Sequence, residues 1–154
     1  MFNSKGILIS TCVFDDAEKG LVDIKNTEFE EHIPESYDGD DNPYEDAEIF
    51  LHGSCDLFAL ALHQIKGYAG IVLCNSEGDD VHYFCKKHNK GILYFIDVRG
   101  ITCDIEEIVS EFVVGEYSLK EYEFPEDNSL TDEEQYGLKF AKRIIEEENW
   151  YNIS

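Results

Sequence analysis

Basic residues are scarce in this chain. Twelve Lys and Arg stand against 34 Asp and Glu, for a formal net charge of −22. Between Lys25 and Lys66 there is no Lys or Arg at all, while Glu28, Glu30, Glu31, Glu35, Asp38, Asp40, Asp41, Glu45, Asp46 and Glu48 crowd residues 28–48 of that stretch. A protein that grips nucleic acid must neutralise phosphates with clustered cations, so direct nucleic-acid binding is excluded as a main function. A long apolar run is also missing. No stretch of about 18 or more apolar residues occurs, so no membrane span is expected. The opening Met1-Phe2-Asn3-Ser4-Lys5-Gly6 has no charged segment leading into a long apolar core, so no export signal is expected and the chain is placed in the cytoplasm. No Cys-x-x-Cys is present. Cysteines stand at the odd count of five (12, 55, 74, 85 and 103). In a reducing compartment these are expected as free thiols, most of them small buried apolar groups.

What is present argues for a folded domain. Hydrophobic residues make up 43% of the 154, including nine Tyr, ten Phe and one Trp, which is too many for a disordered acidic chain. The length suits one domain over 1–154 with a sizeable core. An acidic loop is expected over 28–48, where Pro34, Gly39 and Pro43 punctuate the chain. Asp38-x-Asp40-x-Asn42 starts like a calcium loop, but Pro43 and Ile49 stand where Gly and Glu belong, so no metal is expected there. The acidic surface has two readings. One is solubility. The other is attraction of a basic protein, including imitation of a nucleic-acid backbone, with Glu30, Glu31, Asp40 and Asp41 on the partner-binding face.

The hydrophobic pattern predicts an α+β fold. Ile7–Phe14 and Leu21–Ile24 read as strands. Ser54 reads as the N-cap of a helix over Cys55–Lys66, apolar on nearly all sides and so buried at the centre, with Gly67 past its end. Strands are expected over 69–74, 81–87, 92–98 and 117–124, joined by turns at 75–80 and 89–91. A short helix is expected over 105–112. Thr131-Asp132-Glu133-Glu134 is a capping box that opens a last helix through Glu148, with Tyr136, Phe140, Ile144 and Ile145 inward. One central helix packed on an antiparallel sheet is the expected architecture.

The residues that carry chemistry lie on this frame. His52-Gly53-Ser54-Cys55-Asp56 sets a thiol at the start of the buried helix. The positive end of the helix should lower that thiol's pKa, and unpaired amides around Gly53 and Ser54 could form an oxyanion hole. His82 and Asp97 lie on the two arms of a hairpin. If Asn89 and Lys90 centre its turn, His82 faces Asp97 directly and the two share a face. Such an Asp orients the imidazole and leaves its other nitrogen for Cys55. His52 is a second candidate base. His82-x-x-Cys85-x-x-His88 has the residue types of a zinc site, but on a strand Cys85 points away from both histidines.

These segments resemble a known superfamily. Gly53-Ser54-Cys55-Asp56-Leu57-Phe58-Ala59-Leu60-Ala61-Leu62 is similar to the cysteine helix of papain-like proteins in their circularly permuted and transglutaminase-like branches. Val81-His82-Tyr83-Phe84 and Tyr94-Phe95-Ile96-Asp97-Val98-Arg99-Gly100 resemble the histidine and aspartate strands of arylamine acetyltransferases and transglutaminase-like proteins. The likeness covers about residues 50–100. It implies a papain-like core in which Cys55 attacks an acyl carbon, His82 carries the proton and Asp97 orients the ring, with no cofactor. The expected function is a cysteine-dependent hydrolase, deamidase or acyltransferase acting on an acyl or peptide-like substrate. The alternative is a non-enzymatic acidic binder or inhibitor on the same fold, of the nucleic-acid-mimic type known from phage anti-defence proteins.

Overall fold

The computed structural model describes residues 17–25 and 43–153. The predicted strand Ile7–Phe14, Cys12, the calcium-like Asp38–Asn42 and the proposed partner face of Glu30, Glu31, Asp40 and Asp41 lie outside the described residues.

The fold is α+β. Helix α1 (Ala17–Val22) leads to a 3-10 turn, Ala47–Phe50, and then to α2 (Cys55–Lys66). Strands β1 (Ala69–Asn75), β2 (Asp80–Asn89), β3 (Ile92–Asp97) and β4 (Gly100–Thr102) run on as a meander. After α3 (Ile105–Val109), strand β5 (Tyr117–Tyr122) returns to pair with β1, and α4 (Asp132–Glu147) follows. The sheet order is β4-β3-β2-β1-β5, with every pairing antiparallel. No helix among the described residues is long and apolar enough to cross a membrane.

Helix α2 is the centre of the fold because its sequence leaves it no choice. Leu57 through Leu62 are all buried, and a side chain of this size gains about 1.5–3 kcal/mol on full burial. A helix apolar on all sides must be covered on both, and α2 lies between β2 and α4. Gly67 ends it in the left-handed conformation at φ 74°, its amide donating to the His63 carbonyl. Helix α4 begins with both halves of its capping box in place: Glu134 N–H donates to Thr131 Oγ1 at 3.1 Å and Thr131 N–H to Glu134 Oε1 at 3.0 Å. Tyr136, Phe140, Ile144 and Ile145 all face inward.

Three readings of the sequence are corrected. Leu21–Ile24 does not form a strand; Leu21 ends up buried on α1, which the good helix formers Ala17-Glu18-Lys19 begin. The acidic region does not stay a loop to residue 48: Asp46 bridges to Lys25, and Tyr44, Ala47 and Phe50 bury their side chains. The hairpin turn is centred on Lys90 and Gly91, not on Asn89 and Lys90. Asn89 pairs with Ile92, and both central residues take positive φ (53° and 80°). That turn type requires two positive φ values, and placing Gly91 at one of them relieves half of the steric cost.

Tyr44 also explains a glycine inside α4. A Cβ on Gly137 would stand 2.5 Å from Tyr44 Cζ. Gly137→Ala is therefore expected to destabilise the protein by about 1–3 kcal/mol through overpacking, although alanine alone would favour the helix by about 1 kcal/mol. Urea unfolding checks the sign. A gain in stability would mean that the Tyr44 ring yields at no cost.

Candidate active site

Two elements bring the site together. β2 pairs with β1 along most of its length, but its ladder with β3 ends at Cys85–Ile96. Beyond that point the β3 side of β2 is open, and the start of α2 fills the gap. The Tyr83 amide, which has no β3 carbonyl to meet, donates to Cys55 Sγ at 3.4 Å. The thiol is therefore held against the residue that follows His82 in the chain. Cys55 itself is half-buried.

His82 and Asp97 share one face of the sheet, as the sequence predicts, but not as a directly opposed pair. With the turn at Lys90-Gly91, extending the ladder puts Asp97 opposite Phe84, so His82 is its diagonal neighbour. The difference of two residues preserves the face, because strand side chains alternate with a period of two. His82 Nε2 lies 3.0 Å from Asp97 Oδ2.

Asp97 is shared with a third residue. The Arg99 amide donates to Oδ1 at 2.8 Å, and its guanidinium donates to Oδ2 through Nη2 at 2.6 Å and to both oxygens through Nε. The same guanidinium reaches the Glu107 and Ile108 carbonyls at 3.3 and 3.4 Å. Burial alone would favour the neutral acid. The Arg99 charge and the His82 hydrogen bond outweigh it, and the carboxyl is held well below the usual carboxylate range. A carboxylate can only accept, so Nε2 carries the imidazole proton. Burial also lowers the His82 pKa against the pull of Asp97, so the ring is neutral and Nδ1 is a bare lone pair. Nδ1 is buried and has no hydrogen-bond partner among the described residues.

The His82 ring is fully buried. Phe112, on the turn after α3, stacks over it with centroids 4.1 Å apart and planes 16° from parallel. The Arg99 guanidinium lies over the same Phe112 ring, 5.6 Å from its centroid. His52, the second candidate base, is instead tied to Glu111 at 3.0 Å at the surface. A strap running from α3 through Phe112 thus covers the imidazole.

The start of α2 departs from expectation in three ways. Ser54 stands at the N-cap but makes no side-chain cap; its Oγ and the Tyr44 hydroxyl share a 3.3 Å hydrogen bond. Its amide is committed to the Ile49 carbonyl at 2.8 Å. Gly53 is small because Ile49 packs on it, its Cδ1 falling 2.9 Å from a built Cβ. The thiol's pKa is not lowered. Burial, with help from the nearby Asp56 and Asp97 charges, outweighs the Tyr83 amide and pushes Cys55 up to about 11. Cys85 points away from His82 and donates to the Ala59 carbonyl, and no metal-ligand cluster occurs among the described residues. A cavity of about 350 Å³ lies away from the thiol, between the end of α2 and β5.

Arg99 could be suspected from its spacing, two residues past Asp97 at a strand end. Phe112 carried no signal in the sequence, since its role depends on how α3 folds back over the sheet. Comparison with protein families, with curated proteins and with solved structures returned no match.

The pKa order predicts the thiol's behaviour. Alkylation of Cys55 by iodoacetamide should rise about tenfold per pH unit through the neutral range and continue past the free-thiol value of about 8.5. Phe112→Ala, which admits water to the site, should shift the curve to lower pH. Peptide-resolved mass spectrometry separates Cys55 from the exposed Cys103. A plateau below about pH 8 in the unmodified protein would mean that the thiolate is preformed.

Proposed function

We propose that the chain is a cysteine-dependent acyl-transfer enzyme (a hydrolase, deamidase or acyltransferase) on a papain-like core. One observation carries this reading: a buried imidazole whose Nε2–H is fixed by Asp97 and whose unpartnered Nδ1 lies one residue from the amide that holds the Cys55 thiol. A buried polar atom left without a partner costs about 1–3 kcal/mol. A purely structural histidine gains nothing from it.

The chemistry follows from the charge states. Thiol and imidazole are both neutral at rest, so the proton leaves Cys55 for His82 Nδ1 as sulfur attacks the acyl carbon. Asp97 stabilises the imidazolium formed. Cys55's own amide is the donor best placed for the oxyanion, since the Ser54 amide is occupied. His82 then returns its proton to the leaving amine or alcohol. Water or an acyl acceptor attacks the thioester, and the thiol is restored. Sγ and Nδ1 are not hydrogen bonded to each other here, and such contacts often tighten only when substrate is bound.

A second reading draws on the net charge of −22: an acidic binder or inhibitor of a basic protein, with Glu30, Glu31, Asp40 and Asp41 at its face. Its binding would weaken steeply with salt and ignore Cys55→Ala.

An activated ester or thioester of a small acyl group tests the enzyme reading. The expected product is an acyl group on Cys55, seen by mass spectrometry and turned over by water or an amine. Cys55→Ala and His82→Gln should each lower turnover by roughly 10³-fold or more, with far-UV spectra unchanged. Acylation spread evenly over Cys55 and Cys103, or indifferent to His82→Gln, would reject it.

A further inference from the structure

The Asp97 carboxylate has about four lone-pair sites. Arg99 takes most of them, through its amide and a two-pronged guanidinium. What is left on Oδ2 meets His82 Nε2 at 3.0 Å. The guanidinium is itself fixed at its far end by the Glu107 and Ile108 carbonyls and by the Phe112 ring. Arg99 is 3% exposed, Asp97 2% and His82 0%. These are not surface ion pairs, and their geometry is not averaged by solvent.

We propose that Arg99 is a positioning residue for this site: by holding the Asp97 carboxylate in place it keeps an acceptor on Nε2, so that this nitrogen carries the proton, and by its charge it keeps His82 neutral and available as a base. The inference deepens the acyl-transfer reading and rests on it for the functional consequence, though not for the tautomer. The charged and titratable groups around His82 are few. Asp97 comes from β3, Arg99 from the turn after it, His52 from the segment before α2, and Cys55 from the start of α2; Phe84 and Phe112, which stack on the ring, and Leu73 of β1, which pairs with His82, carry no charge. Asp97 favours a protonated ring. Arg99 and His52 oppose it, and of these two Arg99 is the one that never loses its charge. Without Arg99, a lone carboxylate beside a buried imidazole would draw a second proton onto Nδ1 and leave no lone pair to receive the thiol proton.

The test uses the full chain labelled with ¹⁵N-histidine. In the unmodified protein, His82 is expected to show a protonated Nε2 and an imine-type Nδ1, and to keep them on mild acidification. In Arg99→Gln the second proton should arrive at higher pH, and the acid limb of Cys55 acylation should move up with it. Arg99→Lys keeps the charge but loses the fork. It should leave the acid limb in place while acylation falls about tenfold, the order seen when a group that orients an imidazole is lost. A proton on Nδ1 in the unmodified protein, or an unmoved titration in a folded Arg99→Gln, would overturn the proposal. If Arg99→Gln does not fold, the tautomer and the Arg99→Lys profile decide it. The same spectra recorded on Cys55→Ala separate the two ideas. In the unmodified protein a correct tautomer with an unreactive thiol counts against the enzyme alone, a correct tautomer whose titration does not move in Arg99→Gln counts against Arg99 alone, and a proton on Nδ1 overturns both.

Discussion

The buried carboxylate of Asp97 is the constraint on which the rest of this site depends. Removing such an ion from water costs several kcal/mol even after relaxation. Its attraction to one cation at about 4 Å is worth about 4 kcal/mol in a protein-like medium. One partner therefore roughly balances the loss, and further hydrogen bonds decide the outcome. Arg99 supplies the charge and most of the bonds; His82 supplies the last one. Because the ring is neutral, that last bond is directional without adding a second charge to the interior. The carboxylate ends up satisfied, while the imidazole is left with one open nitrogen.

The strap over His82 follows from the same arrangement. Arg99 reaches past Asp97 to carbonyls at the end of α3, and Phe112 one turn later closes on the imidazole. The group that fixes the imidazole thus also fixes its cover. Among the described residues His82 Nδ1 is the one buried side-chain nitrogen or oxygen without a partner, and it belongs to the ring that this cover lies over. The contact of His52 with Glu111 anchors the strap from the outside, but as an exposed pair it contributes little.

Much of this was legible in the sequence where one periodic signal dominates. The run from Leu57 to Leu62 could only be a buried helix, and Gly67 and Thr131-Asp132-Glu133-Glu134 marked ends that needed no tertiary information. The shared face of His82 and Asp97 was legible too, but for a reason weaker than the register assumed. Moving the turn from Asn89-Lys90 to Lys90-Gly91 slides the pairing by an even number, which spares the face and changes the partner. An odd slip would have destroyed it. What could not be read was anything that depends on where a chain folds back: the gap beside Tyr83, Ile49 against Gly53, Phe112 over His82. The helix start and the hairpin spacing picked out Cys55, His82 and Asp97, while the role of Arg99 came from the geometry.

The thiol shows how magnitude overturns a sound qualitative argument. A helix start favours an anion by about 0.3–1 kcal/mol, which is less than one pH unit at about 1.36 kcal/mol per unit. Burial acts on the same sulfur with greater force, and the acidic surroundings add to it: Asp56 lies in the first turn of α2 and Asp97 across the gap, so Cys55 stands at about 11. An acidic protein with its nucleophile at a helix start cannot store a thiolate there. On the acyl-transfer reading proposed above, the thiolate is made only when it is needed, and the open nitrogen of His82 takes the proton. A thiol that stays protonated until a base and an acyl group meet it is protected from alkylation and oxidation in the meantime. On this reading the raised thiol and the lowered imidazole are not obstacles to catalysis. They are the resting state of a site in which proton transfer and attack occur together.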